Sequence, residues 1–378
     1  MLAIGVFVFD LTGSPSQVAL MLILRMVPLA CFGILVAAIV ERVGHRRMLM
    51  FGIIAMIGVS ALLAFLSTTE QIQLWHIGMG TFVSGVFWSL DFPVRKTLLG
   101  GAVDAGSIGH AMSLDTVTNN GTRMLGPILG GVFLQWVGLT GVYGFAAMAY
   151  VLALLWTVSL RPKTRSPRHS GHGVFSAITR SLSLLRSRPL LAGVLMVTVV
   201  FNLWGFPFVS MIPVIGREVL GLNSFHVGLL MSAEGCGALV GALLIVGVGQ
   251  VRYYRRLYVC GISLFLVVAV IFSQVTLSAG SAACLLLGGL GAAAFAAMQS
   301  TLILLKAPEE ARSLMMGLLS VCIGMAPIGF LHIGLLADWL GARAAIAILA
   351  SEGILALYWV LHKWPSLWDL EYLSNKQG

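Results

Sequence analysis

The sequence predicts an all-α, polytopic membrane protein of twelve helices in two six-helix bundles. Three observations predict it. The chain is 58% hydrophobic and only 10% charged, with a mean hydropathy of +0.97, whereas a soluble domain carries about 25% charged residues. Its apolar runs recur at lengths near the twenty residues that carry a helix across ~30 Å of hydrocarbon. One long polar stretch, 161–188, holds seven Lys and Arg and no acid. It cannot lie in hydrocarbon, where each cation costs roughly 2.5 to 3.5 kcal/mol on insertion scales. It therefore divides the chain into a first bundle (1–160), a basic linker (161–189), a second bundle (190–361) and a tail (362–378).

In chain order, Met1 to Phe9 is apolar but rises only ~13 Å as a helix, less than half a span. It lacks the charged start and cleavage site of a signal peptide. It is expected to be the back half of an incomplete first helix, with roughly 20 to 30 residues ahead of Met1 in the working protein. Asp10-Leu-Thr-Gly-Ser-Pro15 reads as a turn. Apolar runs follow at 17–40, 48–67, 73–94, 108–137 and 142–160. After the linker they recur at 190–213, 224–248, 257–277, 281–304, 314–338 and 342–361. Inside the linker Val174, Phe175, Ile178, Leu182 and Leu185 recur at helical spacing, which predicts a short amphipathic helix on the membrane surface.

Charge sets the orientation. With the 41–47 loop and every second loop after it on the cytoplasmic side, that side holds nineteen of the 23 Lys and Arg. The opposite side holds Arg217 and Arg343, and Arg25 and Arg123 fall inside helices. The positive-inside bias then places both termini in the cytoplasm of a cell with this protein in its inner membrane. The same distribution turns the net charge of +9 into a topology signal, so no nucleic-acid partner is expected. Cys31, Cys236, Cys260, Cys284 and Cys322 lie in apolar runs with no CxxC, so neither a disulfide nor a metal is expected. No Gly-rich loop ends in Gly-Lys-Ser/Thr, and no water-facing loop holds a Ser/His/Asp or paired-carboxylate arrangement. ATP, cofactors and enzymatic activity are accordingly not expected.

Intramembrane ionisable groups are expensive and functional by default. Asp115, Asn119 and Arg123 are spaced by four, with Thr118 and Thr122 beside them, and read as one slowly winding polar stripe. A carboxyl group sunk in apolar surroundings can load and release a proton, which makes Glu234, near the middle of its run, the first candidate for proton coupling. The alternative is a permanent ion pair holding two helices together. Glu352 is the second candidate, and Asn202, Gln299 and His332 add polar groups, His332 being read as a packing residue. Asp91 stands four residues before Arg95, the spacing of an intrahelical pair.

These residues carry a resemblance. The run Gly33 to Arg47, with Glu41-Arg42-Val-Gly44-His45-Arg46-Arg47, resembles the loop between helices two and three of the major facilitator superfamily. Glu41 stands in place of the usual Asp, and His45 at the first basic position after the glycine. Gly237-Ala-Leu-Val-Gly241, followed by Arg252, Arg255 and Arg256, echoes it in the second half, as a duplicated transporter should. Asp10 to Pro15, 85–93, Arg123 to Gly131, Pro308 to Arg312 and Gly334 to Arg343 resemble strings of the drug:proton antiporter branch that includes the enterobactin exporter and the macrolide efflux proteins. Thr81 departs from it, standing where many antiporters carry an arginine.

The resemblance implies a gating loop at Glu41, Arg42, Gly44, Arg46 and Arg47. It also implies an exporter-type motif at Gly121, Gly126, Pro127, Gly130 and Gly131 that seals the two bundles against each other. The function it implies is proton-coupled efflux of an amphiphilic small molecule by alternating access. The expected partners are the lipid bilayer, protons and that substrate, with the protein a monomer. Two other readings stand beside it: a facilitator or importer of a polar metabolite, and a truncated membrane protein that senses or binds without transporting. If Glu41 latches the cytoplasmic gate, Glu41→Ala raises the labelling of cysteines placed on the cytoplasmic faces of the fourth and tenth helices. Equal labelling of the variant and the parent leaves the loop with a topology role alone.

Overall fold

The computed structural model describes residues 2–102, 108–159, 188–246, 253–308 and 312–368. Within these, side chains are described outside 29–42, 45, 92–93, 96–102, 108–117, 304, 312–314 and 316–317. The described residues form twelve long helices, a short 3-10 turn at Pro365–Leu367 and no strand. The first six are α1 (Leu2–Thr12), α2 (Pro15–Val43), α3 (His45–Thr68), α4 (Leu74–Ala102), α5 (Ile108–Trp136) and α6 (Gly138–Ser159). Then come α7 (Pro189–Glu218), α8 (Ser224–Val246), α9 (Tyr254–Gln274), α10 (Ser278–Lys306), α11 (Arg312–Ile323 with Ala326–Leu340) and α12 (Ala342–Lys363). Eight helices among the described residues are long and apolar enough to cross a membrane. This is a multi-pass membrane protein.

Local chemistry explains where the helices depart from the sequence reading. The Asp10 turn is shorter than expected. Asp10, Leu11 and Thr12 continue α1, the Thr12 hydroxyl donates back to the Val8 carbonyl at 2.7 Å, and Gly13 ends the helix with φ +63°. α7 does not stop at Pro213. It is α-helical to Val200, widens into a π-turn over Phe201–Gly205, tightens over Phe206–Met211 and resumes over Ile212–Glu218. Pro207 and Pro213 each sit in the first turn of a new segment, where a missing N–H costs least. Pro207 leaves the Leu203 carbonyl without its intrahelical donor, and Gly329 of α11 packs directly over that carbonyl. α11 is broken at Gly324-Met325, because Pro327 cannot donate to residue 323 and its ring crowds that carbonyl.

Two groups of helices pack separately. In α1–α6, α2 lies on α4, and α3 on both α4 and α6. In α7–α12, α8 and α9 lie on α10, while α9 and α11 lie on α12. The groups meet along α5 with α8 and α2 with α11, with α1 touching α7 and α8. The linker with its expected amphipathic helix, and the end of the tail, lie outside the described residues.

The two groups repeat a cation-on-carbonyl contact. Arg46, at the start of α3, donates through Nε to the Thr157 carbonyl at 3.3 Å and through Nη2 to Val158 at the end of α6. Arg255, at the start of α9, donates to the Ser366 carbonyl just past α12 at 2.7 Å. Each guanidinium thus meets carbonyls at or just beyond a helix C-terminus, where the macrodipole favours positive charge. Arg46→Ala and Arg255→Ala are each expected to lower stability by about 1 kcal/mol, read as a lower thermal-unfolding midpoint in detergent. Arg47→Ala, whose side chain is exposed, should leave the midpoint in place.

Candidate functional site

The contact between α5 and α8 is backbone against backbone. A Cβ added at Gly131 would lie 2.6 Å from the Ser224 carbonyl oxygen, and one at Gly228 would lie 2.5 Å from that of Pro127. One at Gly235 would lie 2.8 Å from the carbonyl of Arg123. Glycine at these places lets the helices approach as closely as small-residue interfaces in membranes do. The contact runs from the ends nearest Gly131 and Ser224 inward to Arg123 and Gly235, and there the first charges stand. Arg123 Nη2 lies 2.8 Å from Glu234 Oε1, with the Glu234 side chain only 13% exposed and that of Arg123 44% exposed. Glu234 is therefore not a lone carboxylate: its partner comes from the other helical group. Gly289 of α10 packs against the Glu234 backbone from behind, leaving no room for a side chain there.

The remaining candidates separate. Asn119, Thr118 and Thr122 do not continue the Arg123 face. They line a cleft of about 370 Å³ among α3, α4, α5 and α6, with Asp91 and Arg95 paired at 3.2 Å on its wall. The Asp115 side chain lies outside the described residues, as do those of Glu41 and Arg42. Pro127 and Gly131 sit on α8 and Gly130 on α1, whereas nothing lies within 4 Å of a Cβ at Gly121 or Gly126. Gly44 precedes α3 with φ +93°, a conformation that favours glycine. Arg46 is engaged within its own group, and Arg47 is exposed.

Asn202 belongs to a closed network. It donates to the Thr198 carbonyl at 2.9 Å, and Gln299 donates to the Thr198 hydroxyl at 2.9 Å. The Tyr258 hydroxyl donates to the Val194 carbonyl at 2.8 Å and lies 3.0 Å from that of Thr198. These groups are buried and mutually satisfied, and they bind α7, α9 and α10 into a rigid unit. Glu352 accepts from Trp204 Nε1 at 3.0 Å and lies 3.7 Å from His332 Nδ1. His332 thus faces a carboxylate, where the sequence reading made it a packing residue.

Sequence reasoning passed over two features. Arg25 of α2 sits over the Trp88 ring, 5.5 Å from its centroid, and its Nε is buried without a hydrogen-bond partner among the described residues. An arginine in mid-run was the available signal. The second is a pair of ties between the groups at the α1–α2 turn. Arg217 of α7 grips Asp10 of α1 and also donates to Leu222 and Ser224. Asp338, at the end of α11, accepts from the Ser16 amide at 3.2 Å and the Ser14 hydroxyl at 3.3 Å, capping α2 in trans. This end of the molecule is closed.

A family profile described as "Transmembrane secretion effector" matches residues 1–371. "Transcription regulatory protein OpdE" of Pseudomonas aeruginosa is 24% identical over 215 residues, 56% of this chain and 51% of that protein. "Uncharacterized MFS-type transporter YfiS" of Bacillus subtilis is 24% identical over 259 residues, 67% and 60% respectively. The chain thus spans about half to three-fifths of these curated relatives. Among solved structures, a POT family transporter in complex with a thioalcohol-conjugated peptide superposes with a TM-score of 0.77 at 13% identity, covering 97% of this chain and 93% of that one. The nucleoside transporter NupG gives 0.74 at 10%, covering 96% and 94%. A bacterial homologue of the human lysosomal transporter Spinster, inward-facing and unoccupied, gives 0.70 at 12%, covering 97% and 92%. At these identities the likeness is one of fold.

Gly228→Val should force α5 and α8 apart and open the Asp10 end. Spin labels at Val137→Cys and Leu277→Cys, on either side of that end, should then report a longer and broader distance than in the parent. An unchanged distance distribution would mean that the glycine contact does not hold this end shut.

Proposed function

The chain belongs to the major facilitator superfamily, in the family described as transmembrane secretion effectors, and from that premise we propose that it exports an amphiphilic small molecule against inward proton flow, by alternating access. In this reading the Arg46 end faces the cytoplasm with both termini, in the inner membrane, and the Asp10 end faces outward. The protein works as a monomer. The observation that carries the proposal is the 2.8 Å pair between Arg123 and Glu234, made across the two helical groups.

The pair links protonation to shape. With the Asp10 end open, α5 and α8 part, Glu234 stands without its cation, and it takes a proton from outside. Closure brings Arg123 back to within 2.8 Å of the carboxyl. The proton leaves toward the cytoplasm. The restored pair then holds the inward-facing form until substrate binding compensates for breaking it. Arg217–Asp10 and Asp338 at the start of α2 must open in the same step. Their contacts exist only with the Asp10 end closed.

A regulatory reading has one observation in its favour, the printed name of OpdE. On that reading the chain binds its ligand without moving it. Proteoliposomes separate the two readings and test the first. An imposed proton gradient should drive accumulation by the parent, and Glu234→Gln should abolish both the accumulation and its dependence on pH. Pumping in everted rather than right-side-out vesicles gives the direction. Unchanged pH dependence in Glu234→Gln would sink the coupling role, and ligand binding without any flux would favour the regulatory reading.

A further inference from the structure

An open groove of about 500 Å³ lies between the start of α9, the end of α12 and the Pro365–Leu367 turn, away from the seam between the two groups. Val259, Ser263 and Tyr358 line its inner part, and His362, Pro365 and Trp368 its mouth. On α9 an exposed row begins at Arg256 and continues with Cys260, Val267 and Ile271. On α12, Leu355, Tyr358 and Trp359 are exposed. Contiguous apolar surface of this kind on a membrane protein faces lipid, so the groove opens sideways to the bilayer. It also crosses the boundary between water and hydrocarbon. Trp359, Trp364 and Trp368 gather around the end of α12, and indole rings settle at that boundary. Tyr358 lies five residues inside the helix end, roughly 7 Å deeper at 1.5 Å per residue.

The mouth is positive, and no described acid neutralises it. Arg256 is exposed and makes no ion pair among the described residues. The Lys363 ammonium lies 4.7 Å from the Trp359 ring centroid and 4.9 Å from that of Trp364, contacts that hold the charge in place without cancelling it. Arg255 is engaged with the Ser366 carbonyl at 2.7 Å and fixes the turn beside the mouth. α9 contains no acid, and the single acid of α12, Glu352, stands eleven residues before Lys363, about 16 Å along the helix. Asp369 and Glu371 follow in the tail, outside the described residues. A molecule suited to this groove carries negative charge at the boundary and an apolar chain below it. We propose that the groove is a docking site for one anionic phospholipid, with its phosphate at Arg256 and Lys363 and an acyl chain along Val259 and Tyr358. A free anion lacks the chain, and a zwitterionic lipid brings an amine of the wrong sign to the mouth. Basic pockets between membrane helices select anionic headgroups on this principle. The site is remote from the Arg123–Glu234 pair and stands whether or not the chain moves a substrate.

The test uses the full chain in phosphatidylcholine nanodiscs that carry a small fraction of phosphatidylglycerol with a diazirine in its acyl chain, photolysed and mapped by mass spectrometry. Labelling is expected on 256–263 and 358–368, above that of the other lipid-facing helices. The same probe built on phosphatidylethanolamine should label these segments weakly. Arg256→Gln and Lys363→Gln should each lower phosphatidylglycerol labelling about fivefold and leave the ethanolamine labelling as it was. Ser263→Trp keeps every charge but fills the groove, and should lower the labelling too. Equal labelling by the two lipids, labelling spread evenly over the lipid-facing helices, unchanged labelling of both Gln variants or full labelling of Ser263→Trp overturns the site. Should a variant fail to elute as the parent does, the parent decides by itself, through its preference between the two lipids and the position of the label.

Discussion

Charge in hydrocarbon is the constraint on which the rest of this structure depends. An arginine or a glutamate alone at mid-bilayer depth costs several kcal/mol. Removing one member of a buried pair leaves the other uncompensated, which is more damaging than never having had the pair. Arg123 and Glu234 meet the constraint only jointly, and they sit on different helical groups. The groups are therefore docked by a requirement of solvation as well as by packing. The three glycines that strip side chains from the α5–α8 seam permit the approach, since a single Cβ on any of them would meet a carbonyl within 2.8 Å. Close approach comes first in this argument, because the ion pair forms only if the backbones are near enough for the guanidinium to reach.

The two other ties obey a different rule. Asp10–Arg217 and Asp338 at the start of α2 lie at the membrane edge, where water screens the charges and exposed ion pairs contribute little. Their value is positional. Both span the two groups at the same end as the glycine seam.

Much of the architecture was legible because the bilayer imposes it. Run length and the placement of Lys and Arg suffice for membrane helices, since in lipid every backbone group must be satisfied within a helix. The irregular places were less legible. Pro207, Pro213 and Pro327 are visible in the sequence, but whether proline ends a helix depends on what receives the freed carbonyl. At Leu203 the backbone of Gly329, 126 residues away in the chain, packs over it. The polar stripe on α5 was misread for a geometric reason. Positions four apart drift by about 40° around a helix, enough to send Arg123 across to α8 while Asn119 turns into a cleft within its own group. Glu234 and Arg123 were recognisable as unusual residues. Their partnership was not, because it joins halves of the chain that have no local relation.

The two intramembrane carboxylates are held in different ways. Glu234 is paired with an arginine, whose planar fork of donors suits a carboxylate and reaches it from the other helical group. Glu352 accepts from the Trp204 indole at 3.0 Å and lies 3.7 Å from His332, both within its own helical group. The first contact therefore joins the two groups, and its formation depends on how near α5 and α8 lie. The second contact lies wholly within α7, α11 and α12 and ties those three helices to one another. Burial differs as well, since Glu234 is 13% exposed at the seam between the groups and Glu352 is 40% exposed.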